Sequence, residues 1–241
     1  MMEMVYNYQL ARECAWNDQE RDNPFYDYYR NEKRKLGKAP NLEVNLSIAY
    51  LTPRYDKDGN ILYSKSSYLK MEKSVASCPT KMSLFDLVSG MGDPDEWRFN
   101  PSTFTNGKRT LTSWSQQQIF VVEFQGTLTF KEFAARCDEV GVHPYVVQHI
   151  GDEEDRMKEG NCTYFRAWFV NVEPITLLGF RNRVQEFLKI IFPESDESCR
   201  DIKTIYNQGL HICYLDWTAR IEPQHLDLAC IRYINERYAA A

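Results

Sequence analysis

Ile119-Phe-Val-Val-Glu-Phe-Gln125, followed by Gly126-Thr-Leu-Thr-Phe-Lys-Glu-Phe133, is the stretch that decides the fold. Its first part is rich in β-branched and aromatic residues and ends at a glycine, which predicts a buried strand. Thr129 with Glu132 three positions on is a capping box, so a helix opens there, runs to Val140 and stops at Gly141. Downstream the alternation continues. Pro144 to Ile150 and Thr163 to Val172 read as strands. Pro174 introduces a long helix to about Phe192, with Leu177, Leu178, Val184, Phe187, Leu188 and Ile191 at helical spacing, and Pro193 ends it. His211 to Leu215 is a further strand, and Pro223 opens a helix that reaches Tyr238. Strands alternating with helices predict an α+β (mixed α/β) domain with a mixed sheet flanked by helices.

Upstream, Leu42 to Thr52 reads as a strand with Leu42, Val44, Leu46 and Ile48 on one face. Asp58-Gly59 supplies a turn, and Ile61 to Met71 returns, giving an N-terminal β-hairpin. Residues 73–118 are polar and turn-rich, with one short helix around Ser83–Ser89. Residues 1–40 differ from the rest. A helix over Met4–Glu20 is followed by Phe25-Tyr-Asp-Tyr28-Tyr29 and a basic run, Arg30 to Lys38. The organisation is an N-terminal arm (1–40), a single α+β domain (41–238) and an expression scar (239–241).

Composition narrows the function classes. Of 241 residues, 43% are apolar and 26% charged, which excludes a fibrous or mostly disordered chain. The net charge of -5 disfavours non-specific coating of nucleic acid and leaves room for a local basic groove. The 15 tyrosines suit a core, an interface or base stacking alike. Seven scattered cysteines without a CxxC support neither a zinc site nor a disulfide framework. Cys137, Cys213 and Cys230 read as small buried hydrophobes. With no signal-like or spanning apolar run, the expected setting is the reduced cytoplasm, away from membrane.

The candidate chemistry sits at strand ends. Glu123 and Gln125 share a face, because strand side chains alternate. A carboxylate on a buried strand needs a partner or a metal, so Glu123 pairs with an arginine, lies on a solvated face or holds an ion. Arg166, inside Tyr164-Phe-Arg-Ala-Trp-Phe169, calls for Glu123, a phosphate or a surface carboxylate. Asp216 follows a strand, where a carboxylate serves as a ligand or as a turn cap. His149 ends a strand before Asp152-Glu-Glu-Asp155, an acidic loop. No P-loop, GxGxxG, nucleophile elbow or HExxH motif is present.

Several segments together carry a family resemblance. They are Phe104-Thr-Asn-Gly-Lys-Arg109 with Trp114-Ser-Gln-Gln-Gln-Ile-Phe120, then Val121 to Phe133, then Tyr164 to Phe169. Ile191-Phe-Pro-Glu-Ser-Asp-Glu-Ser-Cys-Arg-Asp201 and Leu210-His-Ile-Cys-Tyr-Leu-Asp-Trp-Thr-Ala-Arg-Ile221 complete the series. In this order, Met82 to Arg237 resembles the archaeo-eukaryotic primase-like (AEP, primase–polymerase) domains. The likeness is to those in replication proteins of plasmids, phages and integrative elements. The resemblance implies an AEP/RRM-like sheet and Arg166 and Asp216 near a nucleotide cleft. Gln125 would join Arg166 as a nucleotide or phosphate contact.

Departures from the family pattern cluster at the chemistry. The family's Asp-x-Asp pair is Glu123-Phe-Gln125 here. Two-metal nucleotidyl transfer needs clustered anionic oxygens, and Gln125 supplies only a neutral carbonyl. The Ser-x-His motif is reduced to a histidine in Tyr145-Val-Val-Gln-His149. Lys203-Thr-Ile-Tyr-Asn-Gln-Gly209 keeps one glycine and lacks the family's arginine. The sequence therefore points to a catalytically degenerate primase-like module of a mobile element that binds nucleic acid or a replication partner. An active domain would instead hold Mg²⁺ or Mn²⁺ on Glu123 and Asp216, with His149 or an acidic-loop residue. A third reading is a module that captures a host or phage protein. No cofactor is firmly implied. For DNA or RNA, or for a protein partner, the arm offers Tyr28, Tyr29, Arg30, Lys33, Arg34 and Lys35.

Overall fold

Strand β7 (Trp114–Gln125) is the long axis of the protein, and its two faces serve two different cores. The structure, a computed structural model, describes residues 42–50, 54–55, 57, 61–62, 65–84, 87, 97–150, 163–207, 211–216 and 218–239. The expected arm with Tyr28, Tyr29, Arg30, Lys33, Arg34 and Lys35 lies outside the described residues, as does the acidic loop.

Along the chain come β1 (Glu43–Tyr50), β2 (Arg54–Tyr55), β3 (Ile61–Leu62), α1 (Lys65–Ser74), β4 (Pro79–Ser83), β5 (Trp97–Asn100) and β6 (Ser102–Phe104). After β7 come α2 (Phe130–Val140), β8 (Val146–His149), β9 (Tyr164–Ile175), α3 (Leu178–Ile191), β10 (Tyr206–Asn207), β11 (His211–Leu215) and α4 (Pro223–Ala239). Five strands form one sheet in the order β11-β8-β9-β7-β6, and four form a second in the order β10-β5-β1-β4. The fold class is α+β. Every strand pairing recorded in the two sheets is antiparallel, so the mixing lies between sheets and helices rather than within the sheets. β7 and β8 run parallel to each other, because each lies antiparallel to β9 between them.

The alternation of β7 divides the protein into layers. Phe120, Val122 and Phe124, with Phe165, Ala167 and Phe169 of β9, meet α2, α3 and α4. Ile119 and Val121, with Trp168 and Val170, meet Val44, Leu46, Ile48 and Phe99 of the second sheet. Trp168 has no exposed surface and sits 4.8 Å from the Phe99 ring, so it is the central plug between the sheets.

The helix after β7 forms as its sequence predicts. Thr129 accepts from the Glu132 amide while Glu132 reaches back to Thr129, and Gly141 takes the left-handed conformation at φ 70° that ends it. Three other expectations need correction. The Ile61–Met71 return strand is instead two residues of strand and then α1. Tyr68, Met71 and Val75 recur at helical spacing and pack with Ala49 and Ile205, so the period of 3.6 prevails. Pro174 lies within the end of β9, and α3 opens only at Leu178; an exposed strand end tolerates a residue without an N–H. Residues 73–118 carry β4, β5 and β6 besides turns. Ser83 ends β4, while the buried Leu84 and Leu87 are helical. β7 also begins earlier than its apolar run. Its polar entry is held by side-chain amides: Gln117 Nε2 donates to the Ile119 carbonyl at 2.7 Å and Gln118 Nε2 to the Asn171 carbonyl at 3.2 Å.

Arg136 of α2 clamps Glu194, beyond α3, with Nη1 at 2.6 Å and Nη2 at 2.9 Å from the two carboxylate oxygens. Burial pushes the Glu194 pKa up, and the Arg136 bonds more than offset it, so the group titrates below its ordinary value. The folded pKa is depressed, so this stabilisation is present above the unfolded value of about 4.3 and is lost as pH falls through the lower folded value. Urea midpoints measured from pH 6 down to 3 should therefore fall, and less steeply in Arg136→Met. Trp168→Ala should cost about 3–5 kcal/mol in urea unfolding, and Thr129→Ala about 1 kcal/mol. Cys137, Cys199 and Cys230 are buried, and burial raises each thiol pKa, Cys199 to about 11 and Cys230 to about 12. They should resist iodoacetamide at pH 8 until the chain is unfolded.

Candidate functional site

The candidate site grows from the face of β7 that looks toward the second sheet. Glu123 pairs in register with Arg166 of β9, which pairs in turn with Gln148 of β8. Period two places all three side chains on one face. Arg166 is 3% exposed. Its Nε donates to Glu123 Oε2 at 2.8 Å, and its Nη2 stands 2.7 Å from the same oxygen. The other carboxylate oxygen, Oε1, accepts from Gln125 Nε2 at 2.9 Å. Both oxygens of Glu123 thus have donors from within the chain.

The guanidinium is committed in the other direction as well. Nη1 donates to the Asn207 carbonyl at 2.7 Å and Nη2 to Asn207 Oδ1 at 3.1 Å. The cation lies over the Tyr206 ring at 4.8 Å. Tyr206 and Asn207 form β10, on the edge of the second sheet. Arg166 therefore bolts the two sheets together at one end of their interface. The Phe192–Asp201 turn closes over the same place. The Asp196 amide donates to the Glu123 carbonyl at 2.8 Å, and Asp196 Oδ1 caps the short 3-10 turn Glu197–Arg200 through the Ser198 amide at 2.7 Å.

Two sequence candidates stand elsewhere. Asp216 follows β11, three strands from β7, or about 14 Å across the sheet. Its Oδ1 accepts from the Thr218 amide at 2.8 Å and hydroxyl at 2.7 Å, so it caps the turn after the strand. His149 pairs with Phe165, whose side chain lies in the helix-facing core, so it sits on the opposite face from Glu123. It is 2% exposed, and neither ring nitrogen has a hydrogen-bond partner among the described residues. Gln148, its neighbour on the Glu123 face, has no exposed surface, and its amide likewise has no partner among the described residues.

Glu123, Gln125 and Arg166 are thus brought together, while Asp216 and His149 are not part of the group. Sequence reading missed Tyr206 and Asn207. Both stand within 203–209, where a tyrosine and an asparagine meet the arginine of another strand. The donor set does not fit Mg²⁺ or Mn²⁺. Such ions need several free anionic oxygens, and here the Glu123 carboxylate is held by a guanidinium and an amide. Among the described residues, no three His, Cys, Asp or Glu side chains are grouped to hold a metal ion.

No family model and no curated protein matches the chain. Among solved structures, the AEP domain of the cyanophage S-2L primase-polymerase is similar. The TM-score is 0.43 at 10% identity, over 77% of this chain and 89% of that one.

The ion pair makes a stability prediction. Glu123→Gln leaves the Arg166 charge buried without its counter-ion and should cost about 3 kcal/mol or more in urea unfolding. The double variant Glu123→Gln/Arg166→Met should recover most of that loss. Equal additive losses would show that the two side chains are not coupled.

Proposed function

We propose that this chain is a primase-like module of a mobile genetic element's replication machinery, acting by binding nucleic acid rather than by nucleotidyl transfer. The reading rests on the ordered motifs from Met82 to Arg237 and on the use the protein makes of them. One observation carries the loss of chemistry: both oxygens of Glu123 are taken by Arg166 and Gln125. The residue standing where the resemblance expects a second metal-binding carboxylate is instead a hydrogen-bond donor to the first. A position that would hold a cation has become one end of a structural ion pair. Opening it to metal would release a buried guanidinium from its counter-ion, which is strongly unfavourable.

What remains is a scaffold for binding. A chain of net charge -5 binds nucleic acid through a local patch, and the basic and aromatic run from Tyr28 to Lys35 supplies one. A replication protein bound at the same surface is the alternative partner.

Primer extension with Mn²⁺ and all four dNTPs should give no product above a no-protein control. A single-stranded oligonucleotide should bind with an affinity that falls steeply with salt, and Lys33→Ala/Arg34→Ala/Lys35→Ala should flatten that slope. Extension that disappears in Glu123→Ala would overturn the reading. A stoichiometric protein partner, with no oligonucleotide binding at low salt, would reassign the module to protein capture.

A further inference from the structure

A second polar site lies beside α3, on the far side of β7 from the ion pair along the strand. Arg181 is 3% exposed. Its Nε donates to Gln117 Oε1 at 2.8 Å, and its Nη1 donates to Asn182 Oδ1 at 3.2 Å and to the Arg200 carbonyl at 2.6 Å. All three acceptors are neutral. Arg181 forms no ion pair among the described residues, in contrast to Arg166 and Arg136. Burial lowers its pKa to about 10, against the weaker opposing pull of Tyr206 and Asp201, so it stays charged at neutral pH. A buried cation without a counter-ion is costly, and such a cost is offset when an anion binds.

The surroundings supply the place for one. Arg181 lines an open groove of about 300 Å³, and its Nη2 hydrogen-bonds none of the described residues. Gln185 lines the same groove and is 3% exposed. Its Nε2 donates to the Val121 carbonyl at 3.1 Å, which fixes the amide, and its Oε1 is buried without a partner among the described residues. The groove's carboxylates are engaged elsewhere: Glu186 is paired to Arg200, and Asp201 Oδ1 accepts from the Lys203 amide at 2.9 Å. Arg109, bonded to the Lys203 carbonyl at 2.6 Å, adds a further cation nearby.

We propose that this groove is a phosphoryl-binding subsite, with Arg181 Nη2 donating to a phosphate oxygen. The ligand class is a phosphate ester, from a free nucleotide or from a nucleic-acid chain. The groove is large enough for a phosphate and its sugar. Gln117, the partner of Arg181, precedes Glu123 by six residues, about 20 Å along the strand. The proposal therefore does not rest on the reading of the Glu123 site.

The sharpest variant is Asn182→Asp. Asn182 is exposed and already accepts from Arg181, so an aspartate gives the guanidinium a carboxylate with almost no change of shape. The full chain would be titrated at fixed ionic strength with inorganic phosphate, adenosine monophosphate and an oligothymidylate, and its thermal midpoint recorded. At least one of the three should bind, and Asn182→Asp should weaken it by about tenfold or more while keeping a midpoint no lower than wild type. Tighter binding of the mononucleotide would identify the free nucleotide as the source, and tighter binding of the oligomer the polynucleotide. Absence of binding by all three, or binding unchanged in Asn182→Asp, would overturn the proposal.

Discussion

The guanidinium of Arg166 is the point on which the two sheets and the candidate site both depend. It rises from near the start of β9, is nearly without exposure, and reaches a carboxylate on its own sheet and a carbonyl on the other. A charge buried that deeply persists only when its donors are satisfied. Here Glu123 supplies the counter-charge, Asn207 the neutral acceptors and Tyr206 a ring face. Gln125 then holds the far oxygen of Glu123. The result is a closed polar cluster at one end of an otherwise apolar interface built on Trp168, Phe99 and Val121.

This arrangement explains why Glu123 and Gln125 belong together on β7. A second carboxylate at position 125 would place like charges two residues apart on one face, and one arginine would serve both poorly. A glutamine there is a donor and completes the cluster. A glutamate at 123 is long enough to meet the guanidinium from the neighbouring strand with two contacts to one oxygen. Glu123 on this strand neutralises a cation. The Phe192–Asp201 turn reinforces this by donating the Asp196 amide to the Glu123 carbonyl.

The parts of the fold legible in the sequence were those with local signals. The β7–α2 unit was marked by an apolar run, a capping box and Gly141, and each does in the structure what its chemistry dictates. α1 was obscured because Tyr68, Met71 and Val75 sit among lysines and serines that follow a short strand pair. The second sheet was obscured for a different reason. Its strands β4, β5 and β10 are short and acquire their partners only across long sequence separations, as when Tyr206 pairs with Phe99. Of the site, the pairing of Glu123 with Arg166 was one of the partners the residues themselves called for. The separation of Asp216 from Glu123 was not legible, because strand order is a property of the whole sheet. Arg181 was hidden for a related reason, since its partners Gln117 and Arg200 come from distant segments.

Glu123 neutralises Arg166 with both oxygens engaged, which leaves no free carboxylate oxygen there for a divalent cation. The direct check is to titrate the wild-type chain with Mn²⁺ while following the free-ion signal by electron paramagnetic resonance. Only weak, non-saturating uptake that is the same in Glu123→Gln is expected. A saturable site of one ion per chain that is lost in Glu123→Gln would contradict it.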